Sequence, residues 1–332
     1  MADTKQGVRL LLMPGGGSAQ DISYLVQSVQ WGGRNGSASR TMQATLLDYN
    51  GQGHDRADID VERGDKCILA YRDAEGKLTE VFQGLIMRVS QDSGNTFDIT
   101  AYDLGVYLAN NKDTFVYEDT TATSVFSDVC GRFGIPTGSV AGTGHVIHEL
   151  AKPKTTGWDA IGEALTQTYE ATGQRFIPVA REGKMHLLER RAEIKQYLLE
   201  PVHNMSGYAR DVSIENIRTR IKAFDKEDNV VGEAVDGALE AKIGRFQDIE
   251  TADDEMTSGE IASMVQASLN EVNKPERTMS VECLGVPDVY TGIGVYVRIP
   301  ALDVSASYYV ESDTHKFANN IYTMNLDLAM TS

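Results

Sequence analysis

The sequence is short of cysteine and tryptophan, has no long apolar run, and carries too few basic residues to balance its acids. Its three cysteines, Cys67, Cys130 and Cys283, lie far apart with no C-x-x-C spacing, which excludes a disulfide framework and a cysteine-based zinc site. They read as small buried apolar side chains. No stretch approaches the ~18 consecutive apolar residues of a membrane-spanning helix. The early apolar run from Val8 to Met13 is too short for a signal-peptide core, so no membrane anchor and synthesis in a cytoplasm are expected. Against 48 Asp and Glu stand 31 Lys and Arg, a formal charge of -17. That sign argues against specific nucleic-acid binding, whose affinity comes from basic side chains on phosphates. It is compatible with a wall past which a polyanion slides without sticking.

What is present is ordinary globular material: 41% hydrophobic and 24% charged residues, enough apolar surface to offset chain entropy on folding. A chain of 332 residues exceeds one compact core and predicts two or three domains. Residues Val8 to Ala101 alternate β-branched or aromatic with polar side chains, and turns are expected at Asn50-Gly51, Glu75-Gly76 and Ser93-Gly94-Asn95. Two helices follow. One spans Thr121 to Phe133 and stops at Gly134; the other runs from about Gly157 to Ala171, capped by Thr155 or Thr156 and ended by Gly173. Strands Arg175 to Ala180 and Met185 to Glu189 complete an α/β segment. After Pro201 the strand pattern returns up to a long run from Ser307 to Leu328, interrupted by one helix at about 257–272 with the capping box Thr257-x-x-Glu260. The acidic stretch Asp248 to Glu255 before it reads as an exposed loop, and Arg245 to Thr257 as a partner-facing segment. The last hairpins of the two β regions resemble each other at an offset of about 224 positions, and a glycine before a strand recurs at Gly64 and at Gly292 or Gly294.

Motifs that carry chemistry are hard to find. Gly15-Gly16-Gly17 lacks the G-K-[ST] and the following helix of a phosphate cradle. His145-x-x-His148-Glu149 has the wrong order for a zinc protease, and in a strand its two histidines would face opposite sides. Asp58-x-Asp60-x-Glu62-Arg63-Gly64 opens like a calcium loop but has Leu69 where the closing glutamate belongs, so it reads as an acidic turn. No nucleophile elbow, Cys and His pairing or outstanding carboxylate pair is present. No catalytic, cofactor-binding or metal-ligating residue is therefore assigned.

The β, α/β, β order and a series of phrases resemble the baseplate hub family of contractile phage tails and tail-like prophage particles, which includes the PBSX-type hub and the T4 and Mu hubs. The phrases are Val29-Gln30-Trp31-Gly32-Gly33 followed by Arg40, then Arg63-Gly64-Asp65, Phe82-Gln83-Gly84-Leu85-Ile86, and Ala101-Tyr102-Asp103. Near the end stand Tyr309-Val310-Glu311-Ser312-Asp313-Thr314-His315 and Thr323-Met324-Asn325-Leu326-Asp327-Leu328. Read by themselves, Trp31 is a core or interface aromatic, Gly64 and Gly84 are turn or bulge positions, and Asp313 with His315 form a turn before the last strand. The motif residues singled out are Trp31, Gly64, Asp65, Gly84, Tyr102, Asp103, Asp313, His315 and Met324.

The resemblance implies a mainly β chain with α+β parts. Two tail-tube-like β-barrel domains, 1–112 and 204–332, would flank a small α/β domain at 113–203. It further implies a non-enzymatic homotrimer in the baseplate of a virion or tail-like particle, adapting a sixfold tail tube to a threefold central spike. Expected partners are the tail tube protein, the spike, other baseplate proteins and the tape measure protein. A carbohydrate-binding β protein, which needs an exposed aromatic platform, and a cell-wall hydrolase are the alternatives.

Overall fold

The computed structural model of the chain describes residues 7–48, 60–91, 93, 95–190, 194–253 and 256–330. The first strands are β1 (Gly7–Met13), β2 (Gln20–Asp21), β3 (Val26–Arg34), β4 (Thr41–Leu47), β5 (Lys66–Arg72), β6 (Leu78–Gln91) and β7 (Thr96–Tyr102). A mixed segment follows: α1 (Gly105–Asn110), β8 (Lys112–Thr120), α2 (Ala122–Arg132), β9 (Thr137–Val140), β10 (Ile147–Thr156), α3 (Gly157–Thr172), β11 (Phe176–Arg181) and β12 (Lys184–Glu189). Then come β13 (Ile194–Leu199), β14 (Met205–Ser213), β15 (Arg220–Phe224), β16 (Val230–Val235), α4 (Gly237–Ile243), β17 (Gln247–Thr251) and α5 (Ser258–Val272). The chain closes with β18 (Glu276–Leu284), β19 (Gly294–Ile299), β20 (Val304–Ala318) and β21 (Ile321–Met330). The protein is mostly β, as expected.

The chain forms two compact units, Ala209–Met279 and the remainder on either side of it. In the larger unit the strand alternation anticipated from sequence is realised. Met42, Ala44 and Leu46 of β4 point into a core with Leu10, Leu69, Ile86 and Ile99, while Thr41, Gln43 and Thr45 do not. In α2 the side chain of Thr121 accepts from the Ser124 N–H, and Ala122, Val125, Phe126, Val129 and Cys130 form the buried stripe. Thr156 caps α3 in the same way, and Gly173 ends it with φ +70°. These helices share a second core with Phe115, Leu150 and Leu187.

The smaller unit is a three-stranded sheet, β16-β15-β17, under α5. Ile261, Val265 and Leu269 of the helix bury Ile221, Ala223 and Ala234, and both halves of the Thr257/Glu260 capping box are present. One expectation is corrected here. Gln247–Thr251, read as part of an acidic loop, is a strand parallel to β15. Its neighbours hide this from a periodicity argument, because Ile249 lies on an exposed face and is itself 64% exposed. The turn expected at Asn50-Gly51, together with Asp58, Gly94 and residues 254 and 255, lies outside the described residues.

In the 13-stranded sheet one strand arrangement occurs twice. The order β3-β4-β7-β6-β5-β1 is repeated as β14-β18-β21-β20-β19-β13, with β13 parallel to its neighbour where β1 is antiparallel. The detail repeats too. Gly64 and Gly292 both have φ +99°, and their N–H groups donate to the carbonyls of Ile86 and Val310, each at 2.8 Å. The N–H groups of Ile86 and Val310 donate back to Asp65 and Ile293. A β-bulge follows in each strand, between Ile86 and Arg88 and between Val310 and Ser312.

The pairing also corrects the alignment of the returning strands. Asp48 and Gly285 donate to Asn95 and Tyr322 respectively, so Phe97, Ile99 and Ala101 match Met324, Leu326 and Leu328. The sequence alignment had set Ile99 against Thr323, which reverses the faces, since a strand shifted by an odd number of residues turns every side chain over.

Candidate functional site

The two strand modules meet where Ser312–Ala318 of β20 pairs antiparallel with Ser28–Arg34 of β3. Gly32 makes the approach possible: a Cβ there would come within 2.1 Å of the Asp313 carbonyl oxygen. Trp31, next to it, points into the core and stacks on His315 with ring centroids 5.3 Å apart and planes 10° from parallel. Asp313 and His315 were expected in a turn. They are instead buried in the middle of β20, and the turn lies at Asn319 and Asn320, both with positive φ.

Their burial is possible because every polar atom is answered. Arg40 forks onto both carboxylate oxygens of Asp313, at 2.7 and 2.5 Å, and the Thr291 N–H and hydroxyl each donate to Asp313 Oδ1 at 2.7 Å. Nε2 of His315 lies 2.9 Å from the Val289 carbonyl oxygen, which can only accept, so Nε2 carries the proton. Nδ1 then accepts from the Tyr322 hydroxyl at 2.9 Å. Burial by itself would raise the Asp313 pKa, but the charge and the hydrogen bonds of Arg40, with His315 beside it, outweigh it and hold the carboxyl well below the usual range. The Tyr322 hydroxyl is pushed far above its ordinary value, by burial first and then by the negative charge of Asp313.

A second carboxylate completes the cluster from the other side of Arg40. Asp103 accepts from the Arg40 backbone N–H at 3.1 Å and the Gly105 N–H at 2.9 Å. Burial dominates here and pushes its pKa up to about 6. The arrangement contains no exposed nucleophile or proton donor directed at solvent, because its groups are spent on one another. What it can do is lock the register of β3 against β20, with Asn35 extending the contact to Glu311 through backbone and side chain.

The remaining motif residues occupy related corners. Met324 sits opposite His315 in the β20·β21 ladder. Asp65 is buried and accepts the Glu62 and Gly15 N–H groups, tying the turn after Met13 to the start of β5. Gly84 lies in β6, where a Cβ would meet the Tyr102 carbonyl at 2.3 Å, and Tyr102 pairs with both Thr41 and Leu85. Structure thus gathers Trp31, Asp103, Asp313 and His315 at the joint held by Arg40, sets Met324 opposite His315, and leaves Gly64, Asp65, Gly84 and Tyr102 in the first module. Three participants escaped sequence reasoning. Arg40 stood in a quoted phrase without a role, whereas Thr291 and Tyr322 had no local signal.

The candidate metal and cation runs stay separate from this cluster. His148, on β10, is exposed and 3.0 Å from Asp119, while His145 lies in the preceding loop. Among the described residues no group of three or more His, Cys, Asp or Glu is placed to hold a metal ion.

The fold matches the 43 kDa tail protein of prophage MuSo2 from Shewanella oneidensis with a TM-score of 0.72, covering 98% of this chain and 97% of that one at 13% identity. It also matches the E. coli c3393 protein, with a TM-score of 0.53 over 100% of this chain and 76% of that one at 10% identity. That protein is described as a component of the type VI secretion system with structural similarity to the T4 tail proteins gp27 and gp5.

The chain belongs to the YQBQ-like family, whose profile matches residues 29–329. It is 29% identical over 311 residues to the phage-like element PBSX protein XkdQ of Bacillus subtilis (strain 168), covering 92% of this chain and 93% of that one. The family resemblance drawn from the sequence phrases is thereby borne out at the level of a phage tail and baseplate protein.

Proposed function

We propose that the chain is a hub subunit of the baseplate of a contractile phage tail or tail-like bacteriocin particle. Three copies form a ring, and the ring adapts a sixfold tail tube on one face to a threefold central spike on the other. The observation that carries this reading is the repeated strand module: two modules per chain and three chains make six like units around one axis. The likeness to a protein itself described as similar to gp27 and gp5 supports it. In this reading residues 1–112 and 204–332 supply the tube-like parts, and 113–203 a peripheral α/β part. Tail tube protein, spike, other baseplate proteins and tape measure protein are the partners. Its place is the baseplate of the particle, after synthesis in a bacterial cytoplasm.

The role is mechanical and involves no turnover. The buried cluster supports this, since its carboxylates are engaged by the Arg40 guanidinium and by backbone donors. A carbohydrate-binding role loses its aromatic platform, because Trp31 is 2% exposed and Trp158 packs against the helical core. The formal charge of -17 suits a channel wall past which DNA moves without adhering.

The test is the native mass of the purified chain by light scattering, with negative-stain images of the same fractions. Threefold rings with an open centre and the mass of three chains are expected. A monomer that hydrolyses purified cell wall overturns the reading.

A further inference from the structure

One face of the first module keeps a row of side chains out of the core. Lys66 pairs with Leu85 and Leu85 with Tyr102 across β5, β6 and β7, while Cys67, Ile86 and Ala101 beside them are buried. Gln83 stands two residues before Leu85 and so shares its face. Between this face and the α/β segment lies a cavity of about 340 Å³. Tyr107 of α1, with Phe133 and Pro136 just after α2, forms its other walls. Gly134 leaves the space open, since a Cβ there would meet nothing within 4 Å.

The polar groups bordering the cavity are of one kind. The Lys66 ammonium, the Gln83 amide and the hydroxyls of Tyr102 and Tyr107 can all donate. Among the described residues none of these side chains has a hydrogen-bond or ion-pair partner. Asp103 also borders the cavity, but its carboxylate is held by the N–H groups of Arg40 and Gly105. Donors beside aromatic and aliphatic walls select a ligand whose carboxylate is attached to an apolar body. The volume lies at the lower end of the roughly 300–1,000 Å³ range of ligand pockets, room for one large residue and little more. A particle subunit has proteins for partners, and the carboxylate with an apolar body that a protein offers is its last residue.

Resting on the baseplate reading above, we propose that this cavity captures the C-terminal residue of a partner polypeptide. The terminal carboxylate meets Lys66 and the two tyrosine hydroxyls, and an aromatic or branched last side chain lies against Leu85 and Phe133. Recognition of a chain end in this way draws its specificity from a single charged group and one side-chain pocket.

Isothermal titration calorimetry of the full chain with N-acetyl-Gly-Gly-Phe, against the same peptide carrying a C-terminal amide, tests this, with the native mass of each sample measured alongside. The free acid should bind about tenfold more tightly than the amide, the difference that a hydrogen bond to a charged group makes. Lys66→Met should bring the acid down to the level of the amide and leave the amide unchanged. Tyr102→Phe, which keeps the ring and removes only the hydroxyl, should weaken the acid by about threefold or more. Equal binding of acid and amide, no binding of either at millimolar peptide, or a preference untouched by Lys66→Met overturns the capture site. A threefold ring that ignores the peptide overturns the site and leaves the hub reading standing; a monomer that hydrolyses cell wall yet keeps the acid preference does the reverse.

Discussion

The corner after Gly64 and the corner after Gly292 have the same backbone and different side-chain chemistry. Both glycines take φ +99°, both donate to the strand opposite, and both precede a bulge. At the first, Asp65 uses its carboxylate on the neutral N–H groups of Gly15 and Glu62. At the second, the matching residue is Ile293, and the acceptor is Asp313, which binds Thr291 and the Arg40 guanidinium carried by the other module. Glycine turns and backbone ladders define the module, while the charged side chains are placed where modules are joined.

Breaking the charged corner should cost the most. Asp313→Ala leaves Arg40, whose side chain is only 15% exposed, without its counterion, and a loss of about 3–5 kcal/mol in urea unfolding is expected. Adding Arg40→Met to that variant should recover part of the loss; no recovery would show that the pair is not what holds the joint.

The two carboxylates flanking Arg40 sharpen the contrast through pH. Asp313 is held low by Arg40, so its stabilisation is present at neutral pH and is lost on acidification through and below the ordinary carboxylate range. Asp103 has the opposite sign. Its folded pKa of about 6 lies above the ordinary 3.8, so the folded state binds the proton more tightly. That contribution is complete below about pH 4 and gone above about pH 6. Relative to Asp103→Asn, the native protein should lose roughly 3 kcal/mol of stability between those limits. A flat difference would place the carboxyl in a more hydrated setting.

Smaller effects separate the modules at neutral positions. Gly84 matches the buried Tyr308 of the second module, yet its own Cβ direction is filled by the Tyr102 carbonyl. Gly84→Ala should therefore cost about 1–3 kcal/mol, read as a lowered Tm. Asp65→Ala, which removes an acceptor for two neutral N–H groups, should cost about 1–2 kcal/mol by the same measurement. If it proved as damaging as Asp313→Ala, the distinction between the corners would fall.

Much of this was legible in the chain. Helices α2, α3 and α5 announced themselves through Thr121, Thr156 and Thr257 as caps, because capping and a 3.6-residue apolar stripe are local properties. Strand β17 was not, since acidic residues flank a single exposed isoleucine. Asp313 and His315 read as a turn because polar residues in a run suggest solvent, and the partners that allow their burial stand on other segments: Arg40 far away near the start of the chain, Val289 and Thr291 before β19, and Tyr322 across the hairpin.

By itself the sequence determined the long strand runs and the helices α2, α3 and α5, that the chain carries a strong excess of acid, and which family phrases it bears. Those depend on neighbours a few residues apart. The tertiary structure decided the true register of the repeat, the pairing of β20 with β3, and the assembly of Arg40, Asp103, Asp313 and His315 into one cluster. These depend on which edge meets which across more than two hundred residues, a matter of shape and of matched donors and acceptors that no local window contains.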